Sequence, residues 1–388
     1  MTEKSLLRPA IVLGLMSIIG PFAMDMYLPA MPEIAADLGT TAQGMQATIT
    51  FYVAAFGIGQ LVYGPWADQA GRKPPLYAGL LVFAIGTALA IFAQTVEALI
   101  IGRVVQGLGA ASVMVVPRAI IRDIARGDEA TRLMALMMLV FSVSPMLAPL
   151  TGSGLMAWAG WRSVFWALAV TTAVCLILLH FFQEETLDLQ DRQRFSWVAL
   201  AVGAKALARD RAFVRLTLLG TAGMTSFFVF LAAAPFVYAA HYGLTPAQFS
   251  IAFAANAVAF IGVGQVAGPL GKRFGAVKVM RGAAALFMLA TAGLFALALF
   301  GLASLPMFIG LLALGNAGLG LIIPTSMVMA LEDQGDHAGL ASSLGGTFQM
   351  IAGGAVVAFA GPILNADPAP MTGMIAACAV VTFILSAL

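Results

Sequence analysis

Residues 64–73 read Gly-Pro-Trp-Ala-Asp-Gln-Ala-Gly-Arg-Lys, a polar turn set between two long apolar runs. The two glycines permit close helix approach and a tight turn. Asp68 can accept hydrogen bonds from a basic neighbour or from a helix amino terminus. The stretch therefore indicates a charged loop that joins two membrane-spanning helices and can latch the two halves of the protein on the cytoplasmic side; a plain polar turn is the alternative.

The composition around this turn is that of a protein embedded in lipid. Apolar residues make up 61% of the chain, charged residues 10%, and the mean hydropathy is +0.96. A water-soluble surface requires more polar side chains than this. Because a spanning helix takes roughly 20 apolar residues, a chain of this length holds about a dozen spans and no large soluble domain.

The apolar runs predict an all-α membrane protein with twelve transmembrane helices in two pseudo-symmetric six-helix bundles. We expect the first bundle at residues 1–182 and the second at 211–388, joined by a hydrophilic cytoplasmic connector at 183–210. The first run is interpreted as a span and not as a cleaved signal, because no small-residue cleavage pattern ends it. The predicted spans are 9–30, 43–66, 75–95, 98–118, 131–157, 162–182, 211–238, 246–270, 277–300, 304–330, 338–361 and 370–388.

Positive charge predicts the orientation of these spans. If the amino terminus is cytoplasmic, all of the twenty Lys and Arg residues lie at the inner face except Arg162, which faces outward, and Arg103, which lies within a span. Cytoplasmic loops carry the excess of Lys and Arg in membrane proteins. We therefore expect a multi-pass protein of the bacterial inner membrane with both termini cytoplasmic.

Two pairs of short motifs indicate an internal repeat. Gly64-Pro65 recurs as Gly268-Pro269 near the end of the second span of the other half, and residues 115–117, Val-Val-Pro, recur as Ile-Ile-Pro at 322–324. Duplicated halves are common in carriers that work by alternating access.

Two opposite charges are predicted at a similar depth inside the apolar spans. Arg103 lies in the fourth span, where an uncompensated arginine would be costly, and Asp25 is the only acidic residue placed inside a span. A carboxylate in a cavity that alternates between dry and wet can bind and release a proton. Asp25 is therefore the candidate proton carrier, with Arg103 as its interior partner in direct contact or through water. The alternatives are an arginine that extends to the outer surface and an aspartate that ends the first helix before Pro29.

The fifth span contains Ser144-Pro145, Pro149 and Gly152. Prolines and glycines free backbone groups and allow kinks and close packing, which lipid tolerates only where neighbouring helices cover them. A purely structural kink is one explanation of this segment.

These motifs resemble those of the major facilitator superfamily. Its signature loop between the second and third helices, Gly-xxx-Asp-xx-Gly-Arg-(Arg/Lys), is matched here by Gly64, Asp68, Gly71, Arg72 and Lys73. Residues 103–107, Arg-Val-Val-Gln-Gly, resemble the Arg-xx-Gln-Gly motif of its fourth helix, which is associated with proton coupling. The fifth span resembles the helix motif of drug/proton antiporters, with Ser144 where that motif has glycine.

Longer stretches resemble one subgroup of the family, the bicyclomycin and chloramphenicol exporters. They are residues 28–39 after the first helix, 160–162 after the fifth and 339–349 in the eleventh. The resemblance covers nearly the whole chain. It implies a polyspecific exporter of small drug-like molecules such as phenicols, driven by the proton gradient and without a cofactor.

A substrate cavity can be predicted only from residue types. Large aromatic side chains give adaptable apolar contacts, and amides orient a ligand. Each candidate can equally be a residue of ordinary interhelical packing. The candidates are Phe51, Tyr52, Phe227, Phe228, Phe230, Asn256, Asn316 and Gln349.

The expected function is therefore proton-driven drug efflux, with small-molecule drugs, protons and membrane lipid as partners and a monomer as the working unit. An enzyme, a metal site or a nucleic-acid partner is not expected. The chain has no Walker loop or catalytic triad, and its three His and two Cys lack ligand spacing. The main alternative is a sugar or amino-acid carrier of the same fold. A membrane-embedded enzyme or a receptor is the alternative from another class, and would require clustered catalytic side chains or a signalling domain.

Overall fold

The structure, a computed structural model, describes residues 3–125, 128–192, 197–332, 334–335 and 338–388. Over these residues the chain is built of helices and contains no β-strand. The first half comprises α1 Glu3–Asp25, a 3-10 turn Leu28–Ala30, α2 Met31–Asp37, α3 Ala42–Ala70, α4 Lys73–Ile91, α5 Val96–Ile124, α6 Asp128–Ala159 and α7 Arg162–Phe182.

The second half follows a short 3-10 turn at Leu189–Asp191. It comprises α8 Trp197–Arg209, α9 Arg211–Phe236 with a π-helical end Val237–His241, α10 Pro246–Gly264, α11 Ala267–Phe274, α12 Ala276–Leu299, α13 Leu305–Glu332, α14 Ala338–Ala360 and α15 Pro368–Ala387. The predicted connector thus contains a helix of its own, α8, in its second part.

The chain folds into two compact units. The first unit is Met1–Thr40 with Ala47–Ser196, and the second is Thr41–Gln46 with Trp197–Leu388. The start of α3 therefore groups with the second unit, although the rest of that helix belongs to the first.

Most of the helices are long enough and apolar enough to cross a membrane. Eleven candidate spans are found among the described residues, and α6 is a further helix of 32 residues, several of whose side chains lie outside the described set. A helix of about 20 residues spans the hydrocarbon core. The structure confirms the predicted fold class, an all-α membrane protein of two six-helix bundles.

The α-helix of the first span ends before the predicted residue 30, although the candidate span continues to Asp37. The α-helix stops at Asp25, and the chain continues through the 3-10 turn into α2. Pro29 lacks an N–H group and disfavours helical geometry at the residue before it. The regular α-helix therefore ends at the candidate carboxylate, and the chain passes through a 3-10 turn before α2 begins.

Other prolines do not interrupt their helices. Pro65 lies inside α3, and Pro145 and Pro149 lie inside α6, which runs without a break. The repeated Pro117 and Pro324 each lie inside the corresponding helix of their unit, α5 and α13. The other predicted repeat differs between the halves, because the chain breaks between α10 and α11 just before Gly268.

Glycines bring α4 and α5 into backbone contact. A Cβ on Gly86 would come within 2.7 Å of the Gly102 carbonyl oxygen, and a Cβ on Gly109 would meet the backbone of Phe83. Small residues at helix interfaces allow such close approach in membranes. The contact fixes α5, the helix of Arg103, against α4.

Candidate functional site

Arg103 lies fully buried between two tyrosine rings of the first unit. Its Cζ atom is 4.7 Å from the ring centroid of Tyr27 and 4.2 Å from that of Tyr52. Each ring is anchored by its hydroxyl, which in Tyr27 shares a 2.8 Å hydrogen bond with Thr48 Oγ1 and in Tyr52 donates to the Gly20 carbonyl at 2.9 Å. A guanidinium group stacks favourably on aromatic faces, so the two rings hold the plane of the cation.

Hydrogen bonds fix one nitrogen of the same guanidinium group. Nη1 of Arg103 donates to the Ala23 carbonyl at 2.8 Å and to Gln106 Oε1 at 2.9 Å, and Gln106 Nε2 donates to Thr87 Oγ1 at 2.9 Å. Nε and Nη2 are buried and have no hydrogen-bond partner within the described part of the chain. These two N–H groups point to the same side, the arrangement that binds both oxygens of a carboxylate.

Asp25 is buried in the same region without touching Arg103. It is the last residue of α1 and 4% exposed, two residues beyond the Ala23 carbonyl that Arg103 binds. No carboxylate oxygen lies within 4.0 Å of the Arg103 nitrogens in the described ranges. The direct contact that the sequence left open is therefore absent from the described part of the chain.

The predicted motif of the fifth span reaches this region through Gly152. A Cβ at Gly152 would collide with the carbonyl of Met26, the residue after Asp25. Pro149 is buried, Pro145 is half-buried, and the hydroxyl of Ser144 is buried without a partner among the described residues. The glycine of this motif is thus placed against the candidate proton site.

The predicted signature loop forms an ion-pair network around Arg72. Arg72 Nη1 lies 2.6 Å from Asp68 Oδ1, while Nε and Nη2 lie 2.7 and 3.1 Å from the two carboxylate oxygens of Asp123 near the end of α5. Gly71 has φ +100°, a conformation that a residue with a side chain rarely adopts. The glycine turns the chain so that Arg72 reaches both carboxylates.

Glu185, in the segment after α7, binds the main chain of this loop. Its Oε1 accepts from the Arg72 N–H at 2.7 Å and its Oε2 from the Lys73 N–H at 3.1 Å. Partial burial raises the pKa of the Glu185 carboxyl, but the hydrogen bonds from these two N–H groups and from those of Thr186 and Leu187 outweigh it, so the pKa is lowered from 4.5. Glu185 therefore remains ionised while it holds the loop.

Some of the predicted cavity residues meet in the second unit. Asn316 Nδ2 donates to Asn256 Oδ1 at 3.1 Å, and Asn256 Nδ2 donates to the Ala252 carbonyl at 3.0 Å. The Phe230 ring stacks on Phe253 with centroids 5.6 Å apart. α10 therefore carries one member of an amide pair with α13 and one member of an aromatic pair with α9, about one turn apart.

The remaining cavity candidates lie elsewhere. Phe227 and Phe228 have ring centroids 6.3 Å apart, and the Phe228 ring covers Gly353. Gln349 lies against Gly220, where a Cβ would come within 2.9 Å of its Nε2 atom. Phe51 is half exposed on α3, whereas its neighbour Tyr52 joins Arg103 and not the other candidates.

Sequence reasoning missed four residues that complete these sites: Tyr27, Thr87, Asp123 and Glu185. Tyr27 stands two residues after Asp25, which is a usable signal, and Glu185 stands in the polar connector. Thr87 and Asp123 depend on which faces of α4 and α5 meet the neighbouring helices. That information is tertiary and has no local pattern.

A polytopic helical protein with buried charges inside one of two six-helix units belongs to the class of membrane transporters. The family model described as the Major Facilitator Superfamily matches residues 13–387, and the chain belongs to this superfamily. The resemblance drawn from the loop and helix motifs is thereby confirmed.

Similar proteins agree with this assignment. The chain is 32% identical to the uncharacterized MFS-type transporter YdgK of Bacillus subtilis over 98% of its length and 94% of that protein. It is 28% identical to the bicyclomycin resistance protein homolog of Haemophilus influenzae, over 98% of the chain and 95% of that protein. Its fold is similar to a crystal structure of the D-xylose-proton symporter, with a TM-score of 0.76 at 14% identity over 97% of each chain.

Proposed function

We propose that this protein is a proton-driven exporter of small drug-like molecules that works by alternating access in the bacterial inner membrane. Membership of the Major Facilitator Superfamily and similarity to a bicyclomycin resistance protein homolog support export of drugs. Both termini are then cytoplasmic, the proton gradient supplies the energy, and a single chain is the working unit. No cofactor takes part.

The observation that carries the proposal is the burial of both Asp25 and Arg103 in the first unit, where Arg103 binds the Ala23 carbonyl two residues before Asp25. An isolated carboxylate inside a membrane protein is costly when charged, and protonation or a cationic partner relieves that cost. The unpartnered Nε and Nη2 edge of Arg103 offers such a partner. The protonated form of Asp25 and the form paired with Arg103 would each favour a different conformation of the transporter.

The two tyrosines and Gln106 give this switch a fixed counterpart. They hold the guanidinium plane and its Nη1 atom, so that Asp25 is the member that moves. Substrate binding is assigned to the amide pair of α10 and α13, the aromatic pair of α9 and α10 and the other aromatic candidates, with phenicols as the first compounds to test. Such a surface contacts neutral, partly aromatic molecules without a buried ion pair.

The proposal is tested with Asp25→Asn in proteoliposomes under an imposed pH gradient. We expect uphill drug transport to disappear, while energy-independent exchange of the same drug across the membrane persists. Glu97→Gln, which neutralises an exposed carboxylate in the first turn of α5, is the matched control and should transport normally. Normal uphill transport by Asp25→Asn would refute the role of this carboxylate, and transport that survives a protonophore would refute proton coupling.

A further inference from the structure

Two sequence motifs without a role in the proposed cycle meet at one end of the first unit. They are residues 28–39 and 160–162, and they meet at the end of the unit where α6 finishes and α7 begins. Arg162 Nη1 donates to Asp37 Oδ2 at 3.0 Å, and Trp161 Nε1 donates to the same oxygen at 2.9 Å. One carboxylate oxygen therefore ties α2 to the turn between α6 and α7.

Arg162 also binds the end of α4. Its Nε and Nη2 atoms donate to the carbonyls of Ile91 at 3.3 Å and Ala93 at 3.1 Å, and its Cζ lies 4.0 Å from the Trp161 ring centroid. We call Asp37, Trp161 and Arg162 together the Arg162 clasp. It joins α2, α4 and α7 at points that are far apart in the sequence.

The Arg162 clasp is connected to Arg103 by a continuous row of aromatic rings. Trp161 packs edge-on against Phe165 with centroids 6.0 Å apart, and Phe165 packs against Tyr27 at 5.9 Å. Tyr27 is the ring that lies 4.7 Å from the Arg103 guanidinium. Trp161, Phe165 and Tyr27 are all buried, so the row is part of the interior of the unit.

Stability alone is a weak explanation of the charged part of this arrangement. The side chains of Asp37 and Arg162 are 48% and 41% exposed, and exposed ion pairs contribute little to stability. Their position explains more. They hold α2, which directly follows the 3-10 turn Leu28–Ala30 and so continues the chain from Tyr27.

We propose that the Arg162 clasp positions Tyr27 on Arg103, so that Asp37, Trp161 and Phe165 are positioning residues of the proton-coupling site. The inference rests on the proposed function, because it assigns residues of α2 and α7 to holding the site of Asp25 and Arg103 in place. The coupling passes through packed rings and one hydrogen-bonded carboxylate, which is a contiguous physical path. On the proposed orientation, the clasp lies at the periplasmic surface.

The test compares gradient-driven transport with energy-independent exchange in the same vesicles. We expect Phe165→Leu and Trp161→Leu each to lower uphill transport about tenfold, since each interrupts the row of rings, while exchange stays within about twofold. Trp158→Leu, on the exposed side of the same end of α6, is the matched control and should leave both rates unchanged.

A second pair of variants separates positioning from general loss of structure. Asp37→Asn retains an oxygen that accepts from the Trp161 indole, so uphill transport should remain within about twofold, whereas Asp37→Ala should lose as much as Trp161→Leu. This pair decides the matter if the aromatic variants do not fold. Parallel loss of exchange and uphill transport, or equal behaviour of Asp37→Asn and Asp37→Ala, would overturn the inference. If these variants transport normally while Asp25→Asn does not, the positioning role fails and the proposed function stands.

Discussion

Arg72 and Arg103 use the same chemical group in opposite ways. The Nε and Nη2 edge of Arg72 binds both oxygens of Asp123, with Asp68 on the remaining nitrogen, so its charge is fully compensated. The same edge of Arg103 has no acceptor in the described part of the chain, and its charge is met by ring faces and neutral oxygens. Arg72 is therefore suited to fixing a loop, and Arg103 to receiving a carboxylate.

Glu185 allows a prediction of pH dependence at the level of one residue. Its folded-state pKa lies below 4.5, so its stabilising contribution is present above the unfolded value and is lost as the pH falls through the folded value. Glu185→Gln should therefore lower the melting temperature in detergent most near neutral pH, and this difference should shrink below about pH 4.5.

The neighbouring variant Glu184→Gln is the control for this measurement. Glu184 is exposed, and it accepts a hydrogen bond from Gln183 Nε2 with its backbone carbonyl and not with its carboxylate. Its melting temperature should follow that of the unchanged protein at every pH. A constant difference for Glu185→Gln from pH 7 down to pH 4 would contradict the assigned ionisation.

The residues of the candidate site were predictable to the extent that charge is rare in a membrane span. Asp25 and Arg103 stand out because charged residues are rare in apolar runs. A helical rise of about 1.5 Å per residue gives their depth in the membrane. Tyr27 and Tyr52 could not be assigned to Arg103, because an aromatic residue in a span has many packing partners. Tyr52 was predicted as a cavity residue for that reason.

At the level of elements, the difference between Pro29 and the other prolines is instructive. Pro29 follows a carboxylate and precedes a second proline, Pro32, and the α-helix ends before it. Pro117 and Pro149 stand in long apolar stretches, and the helices continue through them. A proline by itself therefore does not predict where a helix ends, and the residues around it must be read with it.

The contact of α4 with α5 gives a prediction about helix packing. In Gly109→Ala the added methyl group would meet the backbone of Phe83 and Gly79, which cannot move as a flexible side chain can. Overpacking of this kind costs about 1–3 kcal/mol, more than the roughly 1 kcal/mol that alanine gains over glycine in a helix. The melting temperature of the purified variant should therefore fall.

Gly293→Ala is the matched control within α12. No atom lies within 4 Å of the position of its added Cβ, so the helix propensity of alanine acts alone. Its melting temperature should be unchanged or slightly raised. Equal effects of Gly109→Ala and Gly293→Ala would show that the α4 and α5 backbones are not in contact.

For the whole molecule, the distribution of Lys and Arg predicts which ends of the helices face the cytoplasm. In a background with Cys175 and Cys378 replaced by alanine, a membrane-impermeant maleimide should label Ser304→Cys, between α12 and α13, in intact spheroplasts. Asp188→Cys, in the segment after α7, should be labelled only after permeabilisation. Both positions are exposed, so the reverse pattern would invert the proposed topology.

Length, hydropathy and charge were sufficient to predict the twelve helices and their division into two halves, because lipid leaves a spanning segment few structural choices. The close helix contacts were not predictable, since a glycine in a span can face lipid, as Gly293 does, or a neighbouring backbone, as Gly109 does. Helix α8 was missed because a polar connector gives a weaker signal than a span.

The hydrogen bonds from the main chain of Arg72 and Lys73 to Glu185 have an evolutionary consequence. At position 73 the carboxylate binds the amide hydrogen and not the lysine ammonium group. Any amino acid except proline supplies that hydrogen, so mutation of the lysine can alter surface charge without removing the hydrogen bond to Glu185. Lys73 thus has two roles carried by different atoms: its side-chain charge contributes to membrane topology, and its peptide N–H holds the loop. A mutation can therefore change the first role without affecting the second.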